Sequence, residues 1–174
     1  LAERPIALGD RIEVAGVAGT VTKIRLRSTE IITNDNISII VPNSDFVTNP
    51  VTNWSHGDTR VEIRVPIGVA YGSDVEKLKT VLLEVAAENA NVLKSPEPTV
   101  FFEAFGDSAL LFELGVWTST MTHSPSRFRS ELNFTIERKL RENKIEIPFP
   151  QRDLHIKSGS FVPQNSQSPN APSA

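Results

Sequence analysis

"RVEIRVPIGVAYGSDVEKLKTVLLEVAAENA", Arg60 to Ala90, changes its hydrophobic period half-way, and that change decides the fold. In its first ten residues Val61, Ile63, Val65, Ile67 and Val69 alternate with Arg60, Glu62 and Arg64. Successive side chains of a strand point to opposite faces, so this is a strand with one buried and one wet face. Beyond Gly72 the apolar positions become Val75, Leu78, Val81, Leu82, Val85 and Ala86, which fall on one face of an α-helix. Ser73 and Glu76 have the spacing of a capping box, which would satisfy the first free N–H groups of that helix. Asn89 to Asn91 should end it.

Forward from this unit, "TVFFEAF" and "ALLFELGVW" flank Gly106-Asp107-Ser108 and predict a β-hairpin. Ser124-Pro125 is a helix start, with proline at the first helical position. Phe128, Leu132, Ile136 and Leu140 repeat every four residues, Phe134 falls off that stripe, and Asn143 should end the helix. "IEIPF", Ile145 to Phe149, predicts a last strand. Pro148 and Pro150 donate no ladder hydrogen bond, so it is an edge that its own sheet cannot fully pair. The order β-α-β-β-α-β over residues 58–158 is the ferredoxin-like arrangement. Residues 159–174 are rich in proline, serine and asparagine, carry no charge, and are predicted to be disordered.

Backward from Arg60, residues 1–57 read as all-β. Gly16 and Gly19 bracket Val17 as a tight turn. Strands are expected around Ile12 to Val14, Thr20 to Arg25, Ser28 to Thr33 and Ile37 to Val41. Val47 to Trp54 would be a fifth strand, bent or at an edge because of Pro50. Five short strands joined by tight turns fit a small barrel, and "SHGD", Ser55 to Asp58, would be the joint to the second domain. The fold class is therefore α+β.

Composition narrows the function. The net charge of -3 argues against a nucleic-acid binder, which carries a basic stripe. With no cysteine there is no disulfide, thiolate metal site or cysteine nucleophile. No stretch approaches the ~20 apolar residues of a membrane-spanning helix. The chain opens on Leu1 without a leader pattern, so the natural protein is expected to begin further upstream.

No enzymatic or cofactor motif survives scrutiny. "GDSALL" resembles a Gly-Asp-Ser-Leu hydrolase signature. Ser108, however, lies between two strands rather than before a helix, and nothing brings Asp153 or His155 to it. His56, His123 and His155 are scattered, without metal-ligand spacing. Gly16 to Gly19 is too short for a phosphate loop. Trp54 and Trp117 read as core or interface anchors, and Arg25 with Arg27 as a solvated strand edge that could also meet lipid phosphates.

Several stretches carry a resemblance. "LGDRIEVAGVAGTVTKIRLRSTEI", "IIVPNSDF" with "NPVTNWS", "IGVAYGSDVEKLKTVLLE", "VLKSPEPTVFFEAFGDSALLFELGVW" and "SELNF" with "IEIPFPQRDLHI" follow in order from Leu8 to Ile156. Together they resemble the cytoplasmic region of the small-conductance mechanosensitive channel family. The membrane helices of that family, including the pore-lining one, are absent from this chain. The resemblance implies a homoheptamer in the cell (inner) membrane, with this region on the cytoplasmic side. An Sm-like β-barrel would lie next to the bilayer, and the α/β domain would form a hollow vestibule with side openings. It implies a tension-gated pore that releases water, ions and small solutes on hypo-osmotic shock, no cofactor, and contact with membrane lipids through the missing helices. Leu154, His155, Ile156 and Lys157 would form a strand shared between subunits beyond the prolines. Asp58, Arg60 and Glu62, at the passage between the domains, are expected to line or border the side openings. The residues alone also leave open a soluble oligomeric module that binds a small molecule, because a ferredoxin-like fold does not fix function.

Overall fold

The structure is a computed structural model that describes residues 6–152. Its first part is a five-stranded antiparallel sheet. Strands β1 (Arg11–Val14), β2 (Val17–Ile24), β3 (Ser28–Ile32) and β4 (Ser38–Pro42) form a meander, and β5 (Thr52–Asn53) pairs with β1. The order is β4-β3-β2-β1-β5, so β4 and β5 are the two edges of this sheet. Ile12, Val14, Val21, Ile31 and Val41 are buried beneath it as a separate small core.

The β1–β2 turn is Ala15-Gly16, not a turn centred on Val17. Val14 faces Val17, and both turn residues have positive φ, 49° for Ala15 and 78° for Gly16. Two left-handed residues give the turn whose twist matches a hairpin. Gly19 instead lies within β2 opposite Ile12, where a Cβ would come within 2.5 Å of both the Ile31 side chain and the Ile32 carbonyl oxygen.

The expected fifth strand is mostly something else. Asp45–Thr48 is a single helical turn, α1, and only Thr52–Asn53 pairs with β1. The Thr48 hydroxyl donates to the Ser44 carbonyl and the Asn49 amide to the Asp45 carbonyl. These local bonds offer the backbone an alternative to the ladder.

The second part contains β6 (Val61–Val69), α2 (Val75–Glu88), β7 (Thr99–Phe105), β8 (Leu110–Thr118) and α3 (Pro125–Glu142). The three strands form an antiparallel sheet in the order β6-β8-β7. Its inward residues Ile63, Val65, Ile67, Leu110, Phe112, Leu114 and Val116 share one core with the apolar stripes of both helices. The predicted stripes are the buried ones: Leu78, Val81, Leu82, Val85 and Ala86 on α2, and Phe128, Leu132, Ile136 and Leu140 on α3. Phe134 is 77% exposed. Across the outer helix faces Lys139 reaches Glu84 and Glu88, and Arg138 reaches Glu88 and Glu142.

Two expectations fail here. The cap of α2 is Asp74, whose carboxylate accepts from the Lys77 N–H at 3.0 Å, so Ser73 and Glu76 form no capping box. A carboxylate at this position also meets the positive end of the helix dipole. The stretch "IEIPF" forms no strand. Helix α3 closes on Lys144, with φ of 56°: the Lys144 N–H donates to the Arg141 carbonyl and the Ile145 N–H to the Leu140 carbonyl. This Schellman closure uses the first donor a last strand would need, and Pro148 and Pro150 have none to offer. Among the described residues, the backbone bond that remains to this stretch from the end of β6 runs from the Ala70 N–H to the Glu146 carbonyl at 2.9 Å.

Candidate functional site

The face of the second sheet away from the helices carries the charges that the alternation of β6 directs outward. Glu62, Arg64 and Glu113 meet there. Arg64 lies 3.4 Å from a carboxylate oxygen of each acid and 4.6 Å over the ring of Phe101. Glu62, and then Glu113, raise the pKa of the Arg64 guanidinium. Gly115, opposite Arg64 in the ladder, makes room for the cluster, since a Cβ there would stand 2.8 Å from Glu62 Oε1 and 3.0 Å from Phe101. Arg64 completes a triad that the sequence displays only as alternation, because Glu113 is remote in sequence.

Asp58 and Arg60 form a separate pair before β6 begins. Arg60 donates through Nε and Nη2 to the Asp58 carboxylate, and its backbone N–H donates to Oδ1 at 2.9 Å. These bonds from the Arg60 side chain and backbone hold the Asp58 carboxyl down at about 2. Both side chains are well exposed, so the pair is screened and adds little stability. Of the three residues singled out, Asp58 and Arg60 thus act as one local unit and Glu62 belongs to the Arg64 cluster. Leu154, His155, Ile156 and Lys157 lie outside the described residues, as do Asp153 and the 159–174 tail.

The Ser108 hydroxyl accepts from the Gln151 N–H at 3.1 Å, and among the described residues no histidine or acid bonds to it. It serves as an anchor for the segment after α3. Among the described residues there is no cluster of three or more potential metal ligands, and no helix is long and apolar enough to cross a membrane.

The loop after β2 is held by one side chain. Asn43 donates to the carbonyls of Arg25 and Leu26 at 3.0 and 3.2 Å and accepts from the Thr29 hydroxyl at 2.9 Å. Leu26 is left 93% exposed between two arginines, in a loop fixed by those bonds.

Residues 1–56 match the family described as "Mechanosensitive ion channel, beta-domain", and residues 63–147 match "Mechanosensitive ion channel MscS, C-terminal". The chain belongs to the MscS family of mechanosensitive channels. It is 44% identical over 156 residues to mechanosensitive channel MscK of Escherichia coli, covering 90% of this chain and 14% of MscK. It is 34% identical over 153 residues to the small-conductance mechanosensitive channel of Edwardsiella ictaluri, covering 88% of this chain and 52% of that protein. The closed-state crystal structure of Helicobacter pylori MscS superposes with a TM-score of 0.80 at 30% identity, over 89% of this chain and 60% of that one. The chain therefore spans between a seventh and about half the length of these curated relatives.

Proposed function

We propose that this chain is the cytoplasmic region of a tension-gated channel of the cell membrane, and that its own share of the work is subunit assembly and solute filtering. In this reading residues 1–57 are the Sm-like barrel next to the bilayer. Residues 58–158 are the ferredoxin-like wall of the vestibule, and 159–174 is a tail. The open edges of the first sheet and the unstranded segment after α3 are then completed by neighbouring copies in a homoheptameric ring. Rotational symmetry closes edges that are a liability in a monomer. Membrane stretch would favour the pore state of larger in-plane area, and water, ions and small solutes would leave the cell.

The observation that carries this reading is the likeness to H. pylori MscS along nearly the whole chain. Asp58, Arg60 and Glu62 border the side openings in this proposal, and the Arg64–Glu113 contact extends that charged border along β6. Charges at a confined opening act on passing ions with little screening, whereas exposed ones fade beyond about 8 Å at physiological salt.

The test is patch-clamp recording from membranes carrying the complete reading frame that includes this chain. A stretch-activated conductance is expected. Exchanging the charges of Arg60 and Glu62 should move the reversal potential in asymmetric salt without changing the opening tension. No stretch-activated current would refute the channel reading. An unmoved reversal potential would refute the role of these residues alone.

A further inference from the structure

The least explained side chain in the molecule is Arg11. It stands on β1 in the first sheet and is only 6% exposed, yet its guanidinium has no hydrogen-bond or ion-pair partner among the described residues. Its backbone is fixed on both sides: its N–H donates to the Ser55 hydroxyl at 3.0 Å and its carbonyl accepts from the Trp54 N–H at 2.9 Å. Glu13, two residues on, is exposed and too far away for an ion pair, although it pulls the Arg11 pKa up against the larger lowering by burial. Arginine stays charged even so. No buried side-chain nitrogen or oxygen is sealed without a partner among the described residues. The guanidinium must therefore open onto free space.

That space is a cavity of about 170 Å³ between the two parts of the fold, lined by Arg11, Trp54, Val61, Ile63, Thr122 and Pro125. Pro125 is the first residue of α3, an 18-residue helix. The mouth of this helix is undressed. Ser124 makes no capping bond through its side chain, and the first turn contains no acid. The first-turn N–H groups and the dipole thus leave a partial positive charge beside a buried guanidinium. A guanidinium that keeps little water and has no partner among the described residues is poorly compensated, and both features are relieved by the same thing, a negatively charged oxygen.

We propose that this cavity is a binding site for one small oxyanion, a phosphate or a carboxylate, held between Arg11 and the N-terminus of α3 with the Thr122 hydroxyl at hand. Its ligand would bridge the first sheet to the second part of the chain, tying the two separate cores together. The inference stands on this chain alone and is independent of whether the channel reading holds.

Trp54 on the cavity wall is the natural reporter, and Trp117→Phe removes the other tryptophan of the two. The full chain is titrated with sodium phosphate and, separately, sodium acetate against sodium chloride at constant ionic strength, following Trp54 emission and calorimetric heat. Saturable one-site binding of at least one oxyanion is expected. It should weaken about tenfold or more in Arg11→Gln, as for loss of a charge-assisted bond, and largely persist in Arg11→Lys. Ser124→Asp, which brings a carboxylate of its own to the helix mouth, should displace the ligand. This variant and the parent titration decide the matter even if Arg11→Gln does not fold. Absence of saturable binding by both oxyanions, or unchanged affinity in Arg11→Gln or Ser124→Asp, overturns the proposal.

Discussion

Replacing Asn43 by alanine isolates what one side chain does for the first sheet. The variant keeps the backbone bond from residue 43 to the Arg27 carbonyl but loses three side-chain bonds, to Thr29, Arg25 and Leu26. The Arg25 and Leu26 carbonyls are exposed and regain water, so their loss costs together about 1 kcal/mol or less. Thr29 is different. It is 0% exposed, and its stranded hydroxyl costs about 1–3 kcal/mol. The sum is about 1–4 kcal/mol. The assay is urea unfolding followed through Trp54, whose backbone is bonded to β1, in a Trp117→Phe background. Thr29→Val removes the stranded hydroxyl. The Asn43→Ala/Thr29→Val pair should therefore fall short of additivity by about 1–2 kcal/mol in a double-mutant cycle. A single-variant loss below ~0.5 kcal/mol, or an additive cycle, would show that the loop is not held this way.

Two glycine substitutions should part company. Gly19→Ala drives a methyl into the Ile31 side chain and the Ile32 backbone and should cost several kcal/mol, roughly 3 or more, whereas Gly68→Ala meets nothing closer than 3.5 Å and should stay within about 1 kcal/mol in thermal melts. The Asp58 carboxyl, monitored by NMR, should titrate at about 2, and Arg60→Met should return it toward 3.8. Because its folded value is depressed, any stability it contributes is present above pH 3.8 and is lost as pH falls toward 2, so melts between pH 5 and 8 should not respond to it. Ser108→Ala should leave labelling by a fluorophosphonate probe at background, as in the parent; labelling that depends on Ser108 would revive a hydrolase.

The long elements were legible because their burial is written in a period. Val61 to Val69 alternates, and the stripes of α2 and α3 recur at helical spacing; these are the residues that the core buries. The misreadings fall where a local contest was decided by geometry that no period records. Ala15 takes a left-handed conformation that its identity does not announce, and Lys144 does the same at the end of α3. Ser73 and Asp74 are both good caps, and only the observed bond to Lys77 separates them. Four residues of α1 are too few to show a helical face. The charged face of β6 read as single residues because the partner of Arg64, Glu113, arrives from another strand. Arg11 was invisible for a stronger reason. In "GDRIEV" it reads as an ordinary surface residue of a strand, and the cavity it faces is completed by residues as remote in sequence as Thr122 and Pro125.

The first strands of the two sheets, β1 and β6, differ in how far along the chain their first partner lies, and this sets an order in time. The meander closes its first hairpin between Val14 and Val17, and every later ladder of β1 to β4 extends from a neighbouring strand. The β6–β8 ladder must bring Val69 to Leu110 at its nearest point, about 40 positions away. Loop-closure entropy grows with the logarithm of length, so that first contact costs about 2 kcal/mol more than the first hairpin. Hairpins form in microseconds, while long-range pairing waits on such a search. A ribosome therefore releases a segment that can begin to fold at once, followed by one whose first strand, β6, stays unpaired until some forty further residues have emerged.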